Sequence, residues 1–322
     1  MAYGTSPAMY VGTDASGGYQ VDTVLSKFAF HTPQPMPVFR AFLDMRVNLG
    51  KNAGDTVYRN RWGNISTAGA AVLESATIPV DRSSVLAQAT ATVTEFGNAM
   101  SVHSKLIELA NLNIENEVVT VLRNDASKAF DSYCYTNVFG SAVLKYVGTS
   151  TNGGAFTTNG TATASNTSAL NSYHLRQMVK KLHSLNAPRF GNGTYRGILH
   201  LDAADEIYED ADWKNVQIHK DRYDGITTGY LGTLWGVDLF TAVNAITTVG
   251  SSGEVFIFGA GYGTEDMVQE PEVRTNAAIA KMMGSAADFG RKVEVGWYGM
   301  SAFGTLWNVS GTTGHCCHWT TA

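Results

Sequence analysis

Several stretches of this sequence combine residue types that could do chemistry. Gly259-Ala260-Gly261-Tyr262-Gly263 imitates a phosphate-cradling loop. A dinucleotide loop needs G-x-G-x-x-G and a helix whose N-terminus holds the anion. Here the third glycine comes one residue early, and Thr264-Glu265-Asp266 puts negative charge where phosphate would lie. A strand-end turn is the better reading. His315-Cys316-Cys317-His318 has the composition of a zinc quartet, but the side chains of adjacent residues diverge and cannot all reach one tetrahedral ion. Three cysteines are too few for a disulfide framework. Cys316 and Cys317 are candidates for a disulfide between chains, against the simpler reading of a reduced tail, and Cys134 reads as a small buried hydrophobe. Ser301, in Gly299-Met300-Ser301-Ala302-Phe303, lacks the second glycine of a nucleophile elbow. Asp202, Asp205, Glu206 and Glu209 could serve acid–base work, yet an acidic helix start is more simply a cap and a solvated face. No catalytic residue, metal ligand or cofactor is assigned. The best contact candidates are Arg59, Arg61 and Trp62, because arginine and aromatic side chains carry most interface energy.

These residues need elements to position them, and the longest is legible at once. From Asn113 to Gly140, Ile114, Val118, Val121, Leu122, Phe130 and Tyr133 recur at three- and four-residue steps, with Ala126 and Ala129 between. That spacing predicts one apolar stripe on a single helix. Glu115, Asn116, Arg123, Asn124, Lys128 and Asp131 fall on the opposite, wet face. Asn113 suits the N-cap, Glu115 and Glu117 suit the positive end of the dipole, and Gly140 suits the stop. About 26 residues make a rod roughly 39 Å long, which needs a matching surface to lie on.

Before the rod, residues 1–36 read as an arm ending in Pro33, Pro35 and Pro37. Asp55–Phe96 reads as a two-stranded hairpin, with Thr56–Trp62 as one strand. Gln88–Thr94 is the other, with threonines on one face and Ala/Val on the other. It holds too few large apolar residues to bury either face, and an isolated ribbon is marginal in water, so neighbouring chains should support it. Ser104 can cap a short helix at 105–110. Residues 148–169 are a Gly/Thr/Asn run expected to be a surface loop. After it come a helix at 169–185, a strand at Tyr195–Leu201, a helix at 203–210 capped by Asp202, and glycine turns at 225, 229, 232 and 236. Strands follow at Val237–Thr241, Glu254–Phe258 and Val293–Leu306. Strands separated by helices predict α+β or mixed α/β architecture.

The 322 residues are 44% hydrophobic, ample for a core, but only 16% charged. Low charge accompanies surfaces buried against other chains. With a formal net charge of −5 and no basic run longer than the pair Lys180-Lys181, tight DNA binding is disfavoured. No signal peptide or membrane-length apolar run is seen, so a soluble protein without membrane contact is expected.

The order of arm, hairpin, rod, α+β region with glycine turns and returning strands resembles the tailed-phage major capsid family of the Hong Kong 97 type. The N-four-type branch is the most similar. The residues that carry the likeness are GDTVYRNRWGN (54–64), TVTEFGNAMSVHSKLIELANLNI (92–114), GYLGTLWGVDLF (229–240) and EVFIFGAGYG (254–263). The resemblance implies an arm and connector at 1–54, an extended loop at 55–97 reaching over a neighbouring subunit, and a peripheral domain with the spine helix at 98–140. An axial domain at 141–280 follows, and 281–322 supplies strands returning to the peripheral domain, then a tail.

The implied function is non-enzymatic. The chain would self-assemble through hexamers and pentamers into an icosahedral head around double-stranded DNA, bound without sequence specificity. The implied partners are scaffolding protein, portal and, as an option, a decoration protein. The implied location is the virion, after assembly in the host bacterial cytoplasm. Cross-linked chain-mail needs a lysine in the extended loop, and none lies between Lys51 and Lys105. No long N-terminal scaffolding extension is present either, so a separate scaffolding protein is expected. The alternatives are an encapsulin-like compartment, which shares the fold, and a soluble ligand-binding or enzymatic α+β protein.

Overall fold

A computed structural model of the chain describes residues 37–43, 45–50, 54–63, 86–103, 105, 114–162, 164–218, 230–243, 248–249, 252–275, 292–308 and 314–320. The arm up to residue 36, the hairpin tip, most of the helix expected at 105–110, and Gly225 and Gly229 lie outside these residues.

Phe39–Phe42 make a 3-10 turn and Met45–Asn48 the strand β1. Thr56–Trp62 (β2) and Leu86–Thr92 (β3) form the expected antiparallel hairpin, Thr56 opposite Thr92 and Trp62 opposite Leu86. Thr94–His103 is β4, and the rod is α1, Ile114–Cys134. Leu144–Ser150 (β5) and Gly153–Thr157 (β6) make a second hairpin. Ser172–Ser184 is α2, Tyr195–Leu199 is β7, and Leu201–Glu209 and Ala211–Ile218 are α3 and α4. Tyr230–Leu234 (β8) and Val237–Thr241 (β9) pair antiparallel, and Thr248–Val249 (β10) pairs with Ser252–Gly253 (β11). Val255–Phe258 (β12), Gly263–Thr275 (β13), Lys292–Thr305 (β14) and Cys316–Trp319 (β15) complete an α+β chain.

The chain divides into two compact units. Among the described residues the smaller holds 99–103, 105, 114–122, 274–275 and 292–296, with Val102, Val118, Leu122 and Val295 buried. The larger holds the rest, including a seven-stranded sheet ordered β6-β5-β15-β12-β7-β9-β8. A four-stranded sheet is ordered β1-β13-β14-β4.

Along α1 the buried positions are Val118, Leu122, Ala126, Phe130 and Cys134, a row at four-residue steps. Val121, expected in the stripe, is 38% exposed. The α-helix is also shorter than Asn113–Gly140. At Tyr135–Phe139 it widens into a π turn, closed by Gly140 N–H donating to the Tyr135 carbonyl at 2.7 Å. The wider turn sets both Val138 and Phe139 inward, where Phe139 meets Phe39, Phe256, Phe258 and Tyr262. Gly140 itself stays right-handed at φ −62° and is not a left-handed stop.

Asp131, expected on the wet face, is fully buried. Its carboxylate accepts the backbone N–H groups of Val38 at 3.2 Å and Arg40 at 2.9 Å, so it caps the 3-10 turn from across the fold. Buried N–H groups must find acceptors, and a charged acceptor makes the stronger bond. Asp131→Ala is expected to cost about 2 kcal/mol, read as a lower urea midpoint.

In the seven-stranded sheet β15 is the central surprise. It runs parallel to β5 and antiparallel to β12, and all four of its residues are buried. Strand alternation sends Cys317 and Trp319, with Val255 and Ile257, into the core formed with Leu175, Met178 and Leu182 of α2. Phe256 and His318 stack on the other face, ring centroids 4.3 Å apart. The 315–318 segment is therefore a core strand and not a tail. Sheet membership does not follow chain order: β13 lies in the four-stranded sheet, while the late β15 sits between β5 and β12 in the seven-stranded one.

The Gly/Thr run at 148–169 is also more ordered than its composition suggests. A Cβ on Gly148 would sit 2.5 Å from Trp319, and one on Gly154 would sit 2.3 Å from the Tyr146 hydroxyl oxygen. These residues are small because neighbouring rings fill their space. Asn171 caps α2, accepting from His174 N–H at 3.1 Å. At α3 the cap is His200, whose Nδ1 accepts from Asp202 N–H at 3.2 Å, two positions before the expected cap Asp202.

Candidate intersubunit surface

The β2–β3 hairpin has two unlike faces because strand side chains alternate. Arg59 and Arg61 point one way, with Ala87, Ala89 and Ala91 from β3. Tyr58, Asn60 and Trp62 point the other, opposite Thr90, Gln88 and Leu86. The first face is fastened to the body. The Arg59 guanidinium pairs with the Asp266 carboxylate on β13, and its Nε lies 3.3 Å from Oδ2. Arg61 donates through Nη1 to the Leu306 carbonyl at 2.9 Å. Ala91 packs against Gly304, where any Cβ would come within 2.9 Å of the Ala91 methyl. The ribbon lies this close because residue 304 has no side chain.

The second face is open. Tyr58 is 63% exposed, Trp62 67% and Leu86 50%. Gln88 Nε2 donates to Asn60 Oδ1 at 3.0 Å between the two apolar ends. Arg59, Arg61 and Trp62, grouped by residue type as contact candidates, thus lie on opposite faces. The arginines make contacts within the chain, and Trp62 stands in solvent beside Tyr58 and Leu86. Those two were not singled out, although the period of two in Val57–Trp62 already pairs Tyr58 with Trp62.

Glu265, next to Asp266, is equally buried and takes arginines from the segment before the hairpin. Arg40 Nε sits 2.9 and 3.1 Å from its two oxygens, with Nη2 at 2.7 Å. Arg46, level with Glu265 in the β1–β13 register, adds its charge at 3.7 Å. The Arg40 guanidinium also lies 5.0 Å from the Phe130 ring centroid.

A family model described as the phage capsid family matches residues 17–260. The chain belongs to the phage capsid family. No curated protein matches it in sequence. Its fold is that of solved capsid structures at low identity. It matches the Cyanophage Pam1 capsid asymmetric unit with a TM-score of 0.68 and 14% identity, over 94% of this chain and 97% of that one. The Helicobacter pylori bacteriophage KHP30 capsid gives 0.67 and 12%, over 96% and 98%. The capsid of Cyanophage P-SCSP1u gives 0.66 and 10%, over 99% of each. These likenesses establish the Hong Kong 97-type capsid fold.

In this capsid protein the remaining motifs hold the fold. Gly259–Gly263 turns from β12 into β13, with Gly261 left-handed at φ +73°. A Cβ on Gly259 would come within 2.4 Å of the Pro188 carbonyl oxygen. The acids that follow are already matched by arginines. Among the described residues no three His, Cys, Asp or Glu side chains are placed to hold a metal ion.

Cys134, Cys316 and Cys317 are free and buried, and burial pushes all three thiols up. Inside a central strand, Cys316 and Cys317 are not presented to a second chain. The Ser301 hydroxyl donates to the Asp266 carbonyl at 3.4 Å. Of the acidic group, Glu206 accepts Leu170 N–H at 2.7 Å, and its neighbour Asp210 accepts Ser172 N–H at 2.5 Å. They tie α3 to the start of α2.

Proposed function

We propose that this phage capsid protein is the major shell subunit of an icosahedral tailed-phage head, assembling through hexamers and pentamers around double-stranded DNA. The observation that carries the mechanism is the two-sided hairpin, anchored on one face and apolar on the other. Its open face is read as the surface that lies on a second copy, since buried aromatic anchors dominate protein contacts. A ribbon too thin to bury its own outer face gains that burial from a neighbour. Closed shells require such head-to-tail contacts between different patches of identical chains. The role is structural, without catalysis or cofactor, with separate scaffolding and portal proteins. A net charge of −5 suits a wall that should not grip DNA tightly.

Negative-stain electron microscopy of the purified chain, with and without a scaffolding protein, tests this reading. Uniform icosahedral particles support it, and a dispersed monomer under both conditions overturns it. Tyr58→Ala/Trp62→Ala should leave circular dichroism and the urea midpoint unchanged, because both side chains are exposed. The critical concentration for assembly should rise at least tenfold, as each lost ~1.4 kcal/mol of contact is a factor of ten. Sedimentation velocity reads the change.

A further inference from the structure

Asp266 is fully buried, and its carboxylate is paired with Arg59 on a strand of the hairpin. Arg61, on the same face of that strand, holds the Leu306 carbonyl at the start of the segment after β14. Ala91, across the ribbon, rests against Gly304 two residues earlier. The three contacts fall along one side of the ribbon and meet β13 and the end of β14. They differ in kind. The alanine contact and the neutral hydrogen bond are individually modest. The ion pair is not, because a carboxylate taken out of water and then deprived of its cation costs far more than the pair itself contributes.

That cost can be relieved in one way without unfolding the sheet: the ribbon lifts and water reaches Asp266. With the ribbon down, Arg59 satisfies Asp266; a raised ribbon would hydrate both groups instead. The neighbouring Glu265 fastens Arg40 and Arg46 independently, so release of the hairpin leaves the preceding segment held.

We infer that Asp266 is a latch which sets the angle of the hairpin, and so aims the Tyr58–Trp62–Leu86 face at the adjoining copy in the shell. This rests on the reading of the chain as a shell subunit, and it names the residues that regulate its contact surface. A shell whose subunits all present this face at one angle closes at one curvature; a loosened ribbon allows several.

Hydrogen exchange on the full-length chain before assembly tests the latch apart from the shell. In Asp266→Asn, amides of 56–62 and 86–92 should exchange at least tenfold faster, while those of β12 and β15 stay as protected as in the parent. Arg59→Gln, which alters only a ribbon side chain, should do the same. The double variant should be no worse than either single one, since paired groups act as a unit. Particles from the variants should spread in diameter under the electron microscope. Unchanged ribbon exchange overturns the latch, as does loss of protection in β12 and β15, which would make the pair part of the core. Failure of the parent chain to form shells overturns the shell reading instead, whatever the ribbon amides show.

Discussion

Trp319→Ala is expected to cost about 3–5 kcal/mol, a large part of the 5–15 kcal/mol that separates a typical folded domain from its unfolded chain. Trp319 is among the largest side chains with no exposed surface, and it sits on the strand that joins the two parts of the seven-stranded sheet. Its backbone is level with Val255 on one side and Tyr146 on the other. Its ring lies 4.9 Å from His174 and 5.7 Å from Tyr146, centroid to centroid. Removing it opens a cavity between sheet and α2 that the flanking strands cannot collapse to fill, because both are pinned by their ladders. The urea midpoint should fall by about 1 M or more.

Gly148 supplies the control. A methyl there would come within 2.5 Å of the indole, so Gly148→Ala should destabilise the parent chain, and its penalty should vanish once Trp319 is alanine. Additive effects of the two substitutions would show that the indole does not occupy this space.

The same residues show what the sequence disclosed and what it withheld. Patterns carried within one element were legible: the four-step row of α1 and the alternation of the hairpin follow from local geometry alone. Asp131 was not legible, since a carboxylate on the polar side of a helix looks solvated until another segment brings two bare N–H groups to it. Nor was β15. Cys316-Cys317-His318 carries metal-like residue types, and only the strands on either side make it a core strand. The glycines at 148 and 154 read as a loop because their reason for being small lies in the rings of Trp319 and Tyr146.

At the hairpin, residue type outweighed period, and so Arg59, Arg61 and Trp62 were grouped although one strand cannot turn all three the same way. The partner of Arg59 lies in Thr264-Glu265-Asp266, weighed only as an obstacle to phosphate. Its pairing across the fold had no local signal.

Acid should weaken this chain well before its carboxylates protonate. His174 is fully buried, its Nδ1 3.1 Å from the Tyr146 hydroxyl and its Nε2 3.3 Å from that of Ser168. Burial lowers its pKa to about 4, against a smaller upward pull from the Ser150 backbone. His315, stacked on Trp307, is likewise lowered to about 4 by burial. His318 is lowered too; burial is the main cause, and Glu254 pulls the other way.

Each of these histidines is harder to protonate in the folded chain than in the unfolded one. As pH falls below the ordinary histidine value near 6.5, the unfolded chain therefore takes up protons first and is favoured. The stabilisation from neutral burial is complete above about pH 6.5, is lost as pH falls towards 4, and changes little below that. With allowance for solvent screening, His174 and His315 should each contribute a loss of about 2 kcal/mol across this window.

Urea midpoints measured from pH 7.5 to 4 should trace that fall. His174→Gln keeps a polar side chain between Tyr146 and Ser168 but cannot titrate, so it should remove about 2 kcal/mol of that loss and leave the part due to His315 and His318. An unchanged slope in that variant would show that His174 is not buried neutral, and would place the acid sensitivity elsewhere.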